Sequence, residues 1–442
     1  MRLLPECLNS RVSLATPALG AAKLYQGYYL ISSTVLSWYM PKQTQTIIKT
    51  PTVLDIFSGA GGMSLGFQNA GCEILGGIDN NPHAVRTHNI NFPNCKLKIK
   101  AQDIRAINLK DIKIEPGEVD ILIGGPPCQV FSVVGIGKLK NLGVQIEEDY
   151  RNFLYEYFIR ALHHYQPLFF VMENVDNLVR KKNMFPKICK ELQFGLPRNR
   201  KGYPGYNIRY QILTASDYGV PQYRKRLFIV GIRKDLSLKF EFSSVLREKQ
   251  ISVGDALGDL IPLTPPYISL KIKSTGLKQI DTPKPYLSPP QGEYQKRMRE
   301  KINQEEEQNV VRNHLCRSHN PVDMICFAML SQGGKYTDLP EFMRRYRWDI
   351  FDDKYKRLPW DKPAWTLTAH MRKDGLAYIH PTQNRSISVR EAARLQSFPD
   401  HFVFDAPMTR MFELVGNSVP PLLAEAIAKP IVEQIQAYYA SL

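Results

Sequence analysis

The chain has 442 residues, enough for two or three domains at about 150 residues each. Its 43% hydrophobic and 23% charged residues exclude a disordered, collagen-like or mucin-like chain. A formal net charge of +16, with no apolar run of membrane-spanning length, points to a polyanionic partner such as nucleic acid or simply to a basic enzyme.

Residues 1–50 carry one acid, Glu6, against five basic residues, and read as a dispensable extension. An organelle transit peptide and a translation start at Met40 are the alternatives. From Thr52 onward short apolar runs alternate with helical stretches. Thr52–Ile56 is the first run. A glycine-rich turn follows, then a helical stretch through Phe67. Glu73–Ile78 ends in Asp79, Val119–Ile123 ends in Gly124-Gly-Pro-Pro, and Leu168–Met172 ends in Glu173. Leu227–Ile232 is a later run. Such runs predict a doubly wound α/β domain with a mostly parallel sheet covered on both faces, placed at residues 51–233. Residues 234–360 hold Pro262, Pro265, Pro266, Pro283, Pro285, Pro289 and Pro290, and predict a smaller irregular domain. Helical patterning returns within 361–442, at Ser388–Gln396 and Leu422–Tyr438. Ser388 or Ser386 caps the first of these, with Glu391 completing a capping box to Ser388.

The seven cysteines form no C-x-x-C pair, and their odd count argues against a zinc ribbon or a disulfide framework. A reducing compartment fits, no metal site is expected, and one thiol is a candidate for reactivity. Polar residues follow the apolar runs at their expected carboxyl ends, where open α/β sheets bind ligands. Asp55-Ile-Phe57-Ser-Gly59-Ala-Gly61-Gly departs from G-x-G-x-x-G, because Ser64 takes the third glycine position. A lone loop of this kind equally suits a tight turn. With Asp79 as a ribose-binding acid, it suits a ribose-bearing cofactor without pyrophosphate, such as S-adenosylmethionine. Cys128, directly after Pro126–Pro127, is a candidate nucleophile rather than a buried apolar thiol. Glu173, beside Phe169 and Phe170, is a candidate for a carboxyl that keeps its proton. Alternation puts Gln222, Arg224 and Arg226 on one face, where buried guanidiniums need carboxylates or phosphates.

In order, DIFSGAGG, Asp79, GGPPCQVFS, MENV, GVPQYRKR and GNSVPP resemble the motif set of DNA cytosine-5 methyltransferases, from about Thr52 to the C-terminus. VREAARLQSFPDHF matches the family's late motifs as well. The resemblance implies that Cys128 attacks carbon 6 of a cytosine and that Glu173 hydrogen-bonds or protonates nitrogen 3. It implies that Arg224 and Arg226 contact the base, and that carbon 5 takes the methyl group of S-adenosylmethionine. Phe57, Gly59, Gly61, Asp79, Asp103, Pro127, Asn417 and Ser418 would line the cofactor pocket. The base must leave the duplex. Gln129, Ser132 and Gln222 are candidates for DNA contact, with the loop Val133–Gly143 closing over the site. Residues 234–360 would be the target-recognition domain. The partner is then double-stranded DNA, with a cognate restriction endonuclease acting on the same site. The protein would be a cytoplasmic, prokaryotic, Dcm-like monomer.

Three rivals compete with this reading. A tRNA methyltransferase of the same fold would carry Cys-Phe-Thr where this chain has Cys326-Phe327-Ala328. A non-catalytic relative would have lost Cys128, Glu173 or the arginines. A nicotinamide oxidoreductase explains the glycine loop alone.

The charge is concentrated. Residues 178–234 carry 14 basic and 2 acidic side chains, and residues 271–301 carry 8 and 3, so both segments are expected to flank DNA phosphates.

Overall fold

A computed structural model of the chain describes residues 49–98, 100–127, 153–198, 200–266, 281–300, 310–346 and 354–442. The extension 1–48 and the segment 128–152, with Cys128, Gln129 and Ser132, lie outside the described residues.

β1 (Thr52–Ile56) leads through the glycine turn into α1 (Gly62–Asn69) and β2 (Glu73–Ile78). α2 (Pro82–Asn91) starts at Asn81, whose side chain accepts from the His83 amide, with Pro82 at the first helical position. β3 (Ile121–Gly124), α3 (Tyr155–Tyr165), β4 (Phe169–Val175), α4 (Met184–Phe194) and β5 (Tyr206–Thr214) follow. β6 (Gln222–Tyr223) and β7 (Lys225–Arg233) close this half of the chain.

The sheet runs β2-β1-β3-β4-β7-β5. β1 pairs in parallel with β2 and β3, and β3 with β4, whereas β7 is antiparallel to both β4 and β5. Only the short segment 215–224 joins β5 to β7, which is too little chain for a parallel crossover. The antiparallel step has a consequence. The start of β7 comes level with the carboxyl end of β4, where Val175 pairs with Arg226. Apolar periodicity missed β5. It is an edge strand, and Asn207, Arg209, Tyr210, Gln211 and Ile212 are exposed.

Alternation sorts each strand between two cores. Val53, Ile121, Ile123, Val171 and Phe228 face a cluster with α1 and the C-terminal helices. Leu54, Ile56, Leu122, Phe170 and Leu227 face a second one built on Phe158 and Leu162 of α3 and Ile188 of α4.

Beyond β7, regular structure is sparse among the described residues up to 365, in keeping with the prolines. It comprises α5 (Val253–Leu257), β8 (Lys284–Pro285), α6 (Glu293–Arg299), β9 (Val310–Val311), α7 (Pro321–Met329) and β10 (Ala364–Trp365). The described residues of 234–360 contribute to two clusters. Phe240, Val253, Leu257, Tyr294 and Met298 join the first core. Cys326, Phe327, Leu330, Tyr336 and Tyr355 form a third, small cluster with Leu376 and Ile379.

α8 (Val389–Leu395), α9 (Met408–Asn417) and α10 (Pro421–Ala440) complete the chain. Ser388 and Glu391 form the expected capping box, both bonds being present. α10 packs on α1 so closely that a Cβ on Gly66 would stand 2.5 Å from the Ala424 Cβ. Among the described residues, no helix is long and apolar enough to cross a membrane.

Candidate active site

The carboxyl ends of β1, β2, β3 and β4 converge, and β7 brings its arginine to the same edge. The reversal of strand order at β1 and β3 opens the crevice that ligands use in such sheets.

The glycine turn forms the first wall. Phe57 at φ 64°, Gly59 at 55° and Gly61 at 97° take left-handed backbone, which only glycine adopts without cost. The two glycines have different surroundings. A Cβ on Gly61 would strike Phe92 at 2.5 Å, so packing by itself already requires a glycine there. A Cβ on Gly59 would meet nothing within 4 Å, so Gly59 borders open space. The Gly59 amide donates to Asp79 Oδ2 at 2.9 Å, and the Asn81 amide to Oδ1 at 2.8 Å. Burial raises the Asp79 carboxyl, and these amides oppose it. The Gln102 amide donates to the Asp79 carbonyl at 3.1 Å, bringing the Asp103 segment alongside. Asp103 itself is gripped by Arg105 through Nε at 3.0 Å and Nη2 at 2.6 Å, and this pairing holds its carboxyl low.

The late segment packs against the same turn. A Cβ on Gly62 would lie 2.3 Å from the Val419 carbonyl and 3.3 Å from the Ser418 Cβ, so the start of α1 rests directly on Ser418–Val419. Ser418 Oγ donates back to the Leu414 carbonyl at 2.7 Å, and Asn417 is exposed. An open glycine turn at Gly59, an acid behind it and the adjoining Ser418 segment fit a nucleoside-bearing cofactor such as S-adenosylmethionine.

The acid and the turn lie next door. Glu173 Oε1 accepts an ion-paired bond from Arg226 Nε at 2.9 Å, and the two side chains are 14% and 15% exposed. They are buried enough to strengthen the pair and open enough for a ligand to reach. Burial raises the Glu173 carboxyl, while Arg226 and Arg224 pull it back. A Cβ on Gly125 would stand 3.1 Å from Glu173 Oε2, so the glycine lets the turn approach the acid. Asn174 Nδ2 donates to the Pro126 carbonyl at 3.2 Å, tying β4 to the turn through Pro127 that leads into Cys128.

Two residues are placed differently from their expected roles. Alternation does hold, with Gln222 and Arg224 inward and Tyr223 and Lys225 outward. Yet Arg224 is 1% exposed and, among the described residues, makes no ion pair with a carboxylate. It donates to the carbonyls of Leu367 at 2.7 Å and of Gly416 and Ser418 at 3.1 Å each. Carbonyls can accept from a guanidinium as anions do, and both terminal nitrogens of Arg224 are used this way, while its Nε has no partner among the described residues. Gln222 is fully buried, bonded to the Leu367 amide, the Leu395 carbonyl and Gln396, and so turns no polar atom toward DNA. Sequence reasoning missed Asn174, Ser64 and Gln396. Asn174 lay inside the quoted MENV run, and Gln396 inside LQSFPD.

Similarity to known proteins extends over most of the chain. Residues 51–433 match the family described as C-5 cytosine-specific DNA methylase. The type II methyltransferase M1.HphI of Haemophilus parahaemolyticus is 32% identical over 419 residues, covering 92% of this chain and 96% of its own. The type II methyltransferase M.DdeI of Desulfomicrobium norvegicum is 32% identical over 400 residues, covering 86% and 88%. A crystal structure of a prophage-encoded E. coli protein, described as a DNA modification methyltransferase, superposes with a TM-score of 0.67 at 28% identity, covering 87% of this chain and 99% of its own. With its open glycine cradle, its buried acid–arginine pair and this match over most of its length, the chain belongs to the C-5 cytosine-specific DNA methylase family.

Proposed function

We propose that the protein methylates carbon 5 of a flipped-out cytosine in double-stranded DNA. Its place is the modification half of a restriction–modification pair, in the cytoplasm and as a monomer. The Glu173–Arg226 pair carries the reading, because it holds a raised carboxyl beside the turn that leads into Cys128. Cytosine carbon 5 is a poor nucleophile. Cys128, as its thiolate, adds to carbon 6. A free thiol ionises at about 8.5, so local activation of Cys128 is part of the proposal. Glu173 presents its proton to nitrogen 3, where the electron pair from the addition would otherwise accumulate as charge. Arg226 orients Glu173 and contacts the base. Arg224 acts at one remove, by holding the carbonyls of Gly416 and Ser418.

S-adenosylmethionine would be held by Phe57, Gly59, Gly61, Asp79, Asp103, Pro127, Asn417 and Ser418 and would supply the methyl group to carbon 5. Loss of the carbon-5 proton to a base then restores the double bond and expels Cys128 as its thiolate. Gln129, Ser132 and the loop Val133–Gly143 close over DNA, and residues 234–360 read its sequence. The relatives' description as type II methyltransferases supports the pairing with a nuclease.

The test is transfer of label from radiolabelled cofactor to matched DNA and tRNA, with Cys128→Ser alongside. Label in DNA is expected, with turnover abolished in the variant while DNA binding persists. Label confined to tRNA overturns the substrate, and full activity of the variant overturns the nucleophile.

A further inference from the structure

One residue outside the proposed chemistry closes a buried ring of hydrogen bonds. The Leu367 amide donates to Gln222 Oε1 at 2.8 Å. Gln222 Nε2 donates to Gln396 Oε1 at 2.5 Å, and Gln396 Nε2 donates to the Ser418 carbonyl at 2.5 Å. Arg224 bonds that same carbonyl and returns to the Leu367 carbonyl. Every member is buried. The ring has one polarity. The Leu367 amide fixes Gln222 with its oxygen toward Leu367, so Gln222 offers an N–H to Gln396, and Gln396 must then turn its own N–H to Ser418. The segment it grips has little room to relax elsewhere, because a Cβ on Gly416 would stand 2.3 Å from the Thr368 carbonyl carbon. On the far side, Ser418 and Val419 back the glycine cradle at Gly62.

We propose that Gln396 is a positioning residue for the cofactor: it sets the Ser418 carbonyl, and with it the Ser418–Val419 segment that backs the glycine turn at Gly62, while Arg224 sets the same segment from the side of the Glu173–Arg226 pair. This rests on the reading of Ser418 as part of the cofactor site. Removing the Gln396 amide leaves the Ser418 carbonyl with one donor fewer and frees the segment to shift, while the acid–arginine pair is untouched.

The test is Gln396→Met, which nearly keeps the volume and removes both polar atoms. Binding of S-adenosylhomocysteine, steady-state kinetics and thermal unfolding are compared with wild type. The expected result is roughly tenfold weaker analogue binding and a matching rise in KM for the cofactor. KM for DNA and kcat at saturating cofactor should stay within about twofold, the margin for a residue that touches neither base nor acid. A residue that only supports the fold would lower kcat through the folded fraction and leave KM for the cofactor alone. Should Q396M fail to fold, Gln396→Asn replaces it, because its amide is one methylene too short to reach both partners. Unchanged analogue affinity in the folded variant overturns the proposal. If wild type itself fails to bind S-adenosylhomocysteine, the cofactor reading fails and the inference falls with it.

Discussion

Asp55 lies one residue before the end of β1, 1% exposed, under the glycine turn. Ser64 Oγ donates to its Oδ2 at 2.6 Å and sits 3.3 Å from His88 Nε2. Ser64 therefore does more than fill the third glycine position; it pins α1 to β1 and α2. Burial pushes the Asp55 carboxyl up to about 7, and nearby Asp79 adds to this, while the Ser64 bond opposes it. A carboxyl raised on folding keeps a proton that the unfolded chain has shed. Its contribution to stability is complete below about pH 4, where the unfolded side chain titrates. That contribution is lost as pH rises through about 7. Asp55→Asn is therefore expected to flatten the fall of melting temperature between about pH 4 and pH 7, measured by thermal melts in matched buffers. The same slope in both proteins would clear Asp55 of the effect. Glu173 follows the same rule of burial, but Arg226 makes it addressable by a ligand, whereas Asp55 has no such opening.

At the scale of elements, α8 departs most from what its sequence suggests. VREAARL carries three charges in seven residues, yet all seven are buried. Each charge has a built partner. Arg385 grips Glu391 in bidentate fashion at 2.6 and 2.7 Å, and Arg394 bridges Asp259 and Asp400. Arg390 donates to the carbonyls of Arg312, Pro399 and Phe402. Glu391 also completes the cap at Ser388 and is held low by Arg385 and His380. Glu391→Ala is expected to cost about 3–5 kcal/mol, because Arg385 would stay buried without its counter-charge. Urea unfolding measures this, and a loss below about 1 kcal/mol, the range of an exposed pair, would refute it. The capping box was legible because it is a local motif of four residues. The burial was not, since it depends on Asp259 and Arg312, far away in sequence. β5 was illegible for the complementary reason: an exposed edge strand has no apolar pattern to read.

For the whole molecule, charge and packing interact. Several basic side chains of 178–234 and 271–301 are spent inside the fold. Arg224 holds carbonyls, Arg226 holds Glu173, Arg297 holds Glu425, and Arg299 holds Asp259. Arg180, Lys182, Arg198, Arg200, Lys201 and Lys225 remain exposed for phosphates. Six phosphate contacts predict a fall in DNA affinity of about 10³ between 50 and 200 mM salt. Fluorescence anisotropy with labelled duplex checks this, and a flat salt response would discard the phosphate contacts.

What the amino-acid order determined alone was local or cumulative. The strand runs, the prolines that break up 234–360, the Ser388–Glu391 cap and the ordered motifs that name the family each depend on neighbouring residues or on their order along the chain. Only the tertiary structure decided which arginine meets Glu173. The antiparallel entry of β7 carries Arg226 to the end of β4, and it leaves Arg224 to hold the backbone of the late segment. Both arginines sit in one five-residue run with the same alternation. They differ only in what the folded chain brings within hydrogen-bonding distance, and no local rule contains that.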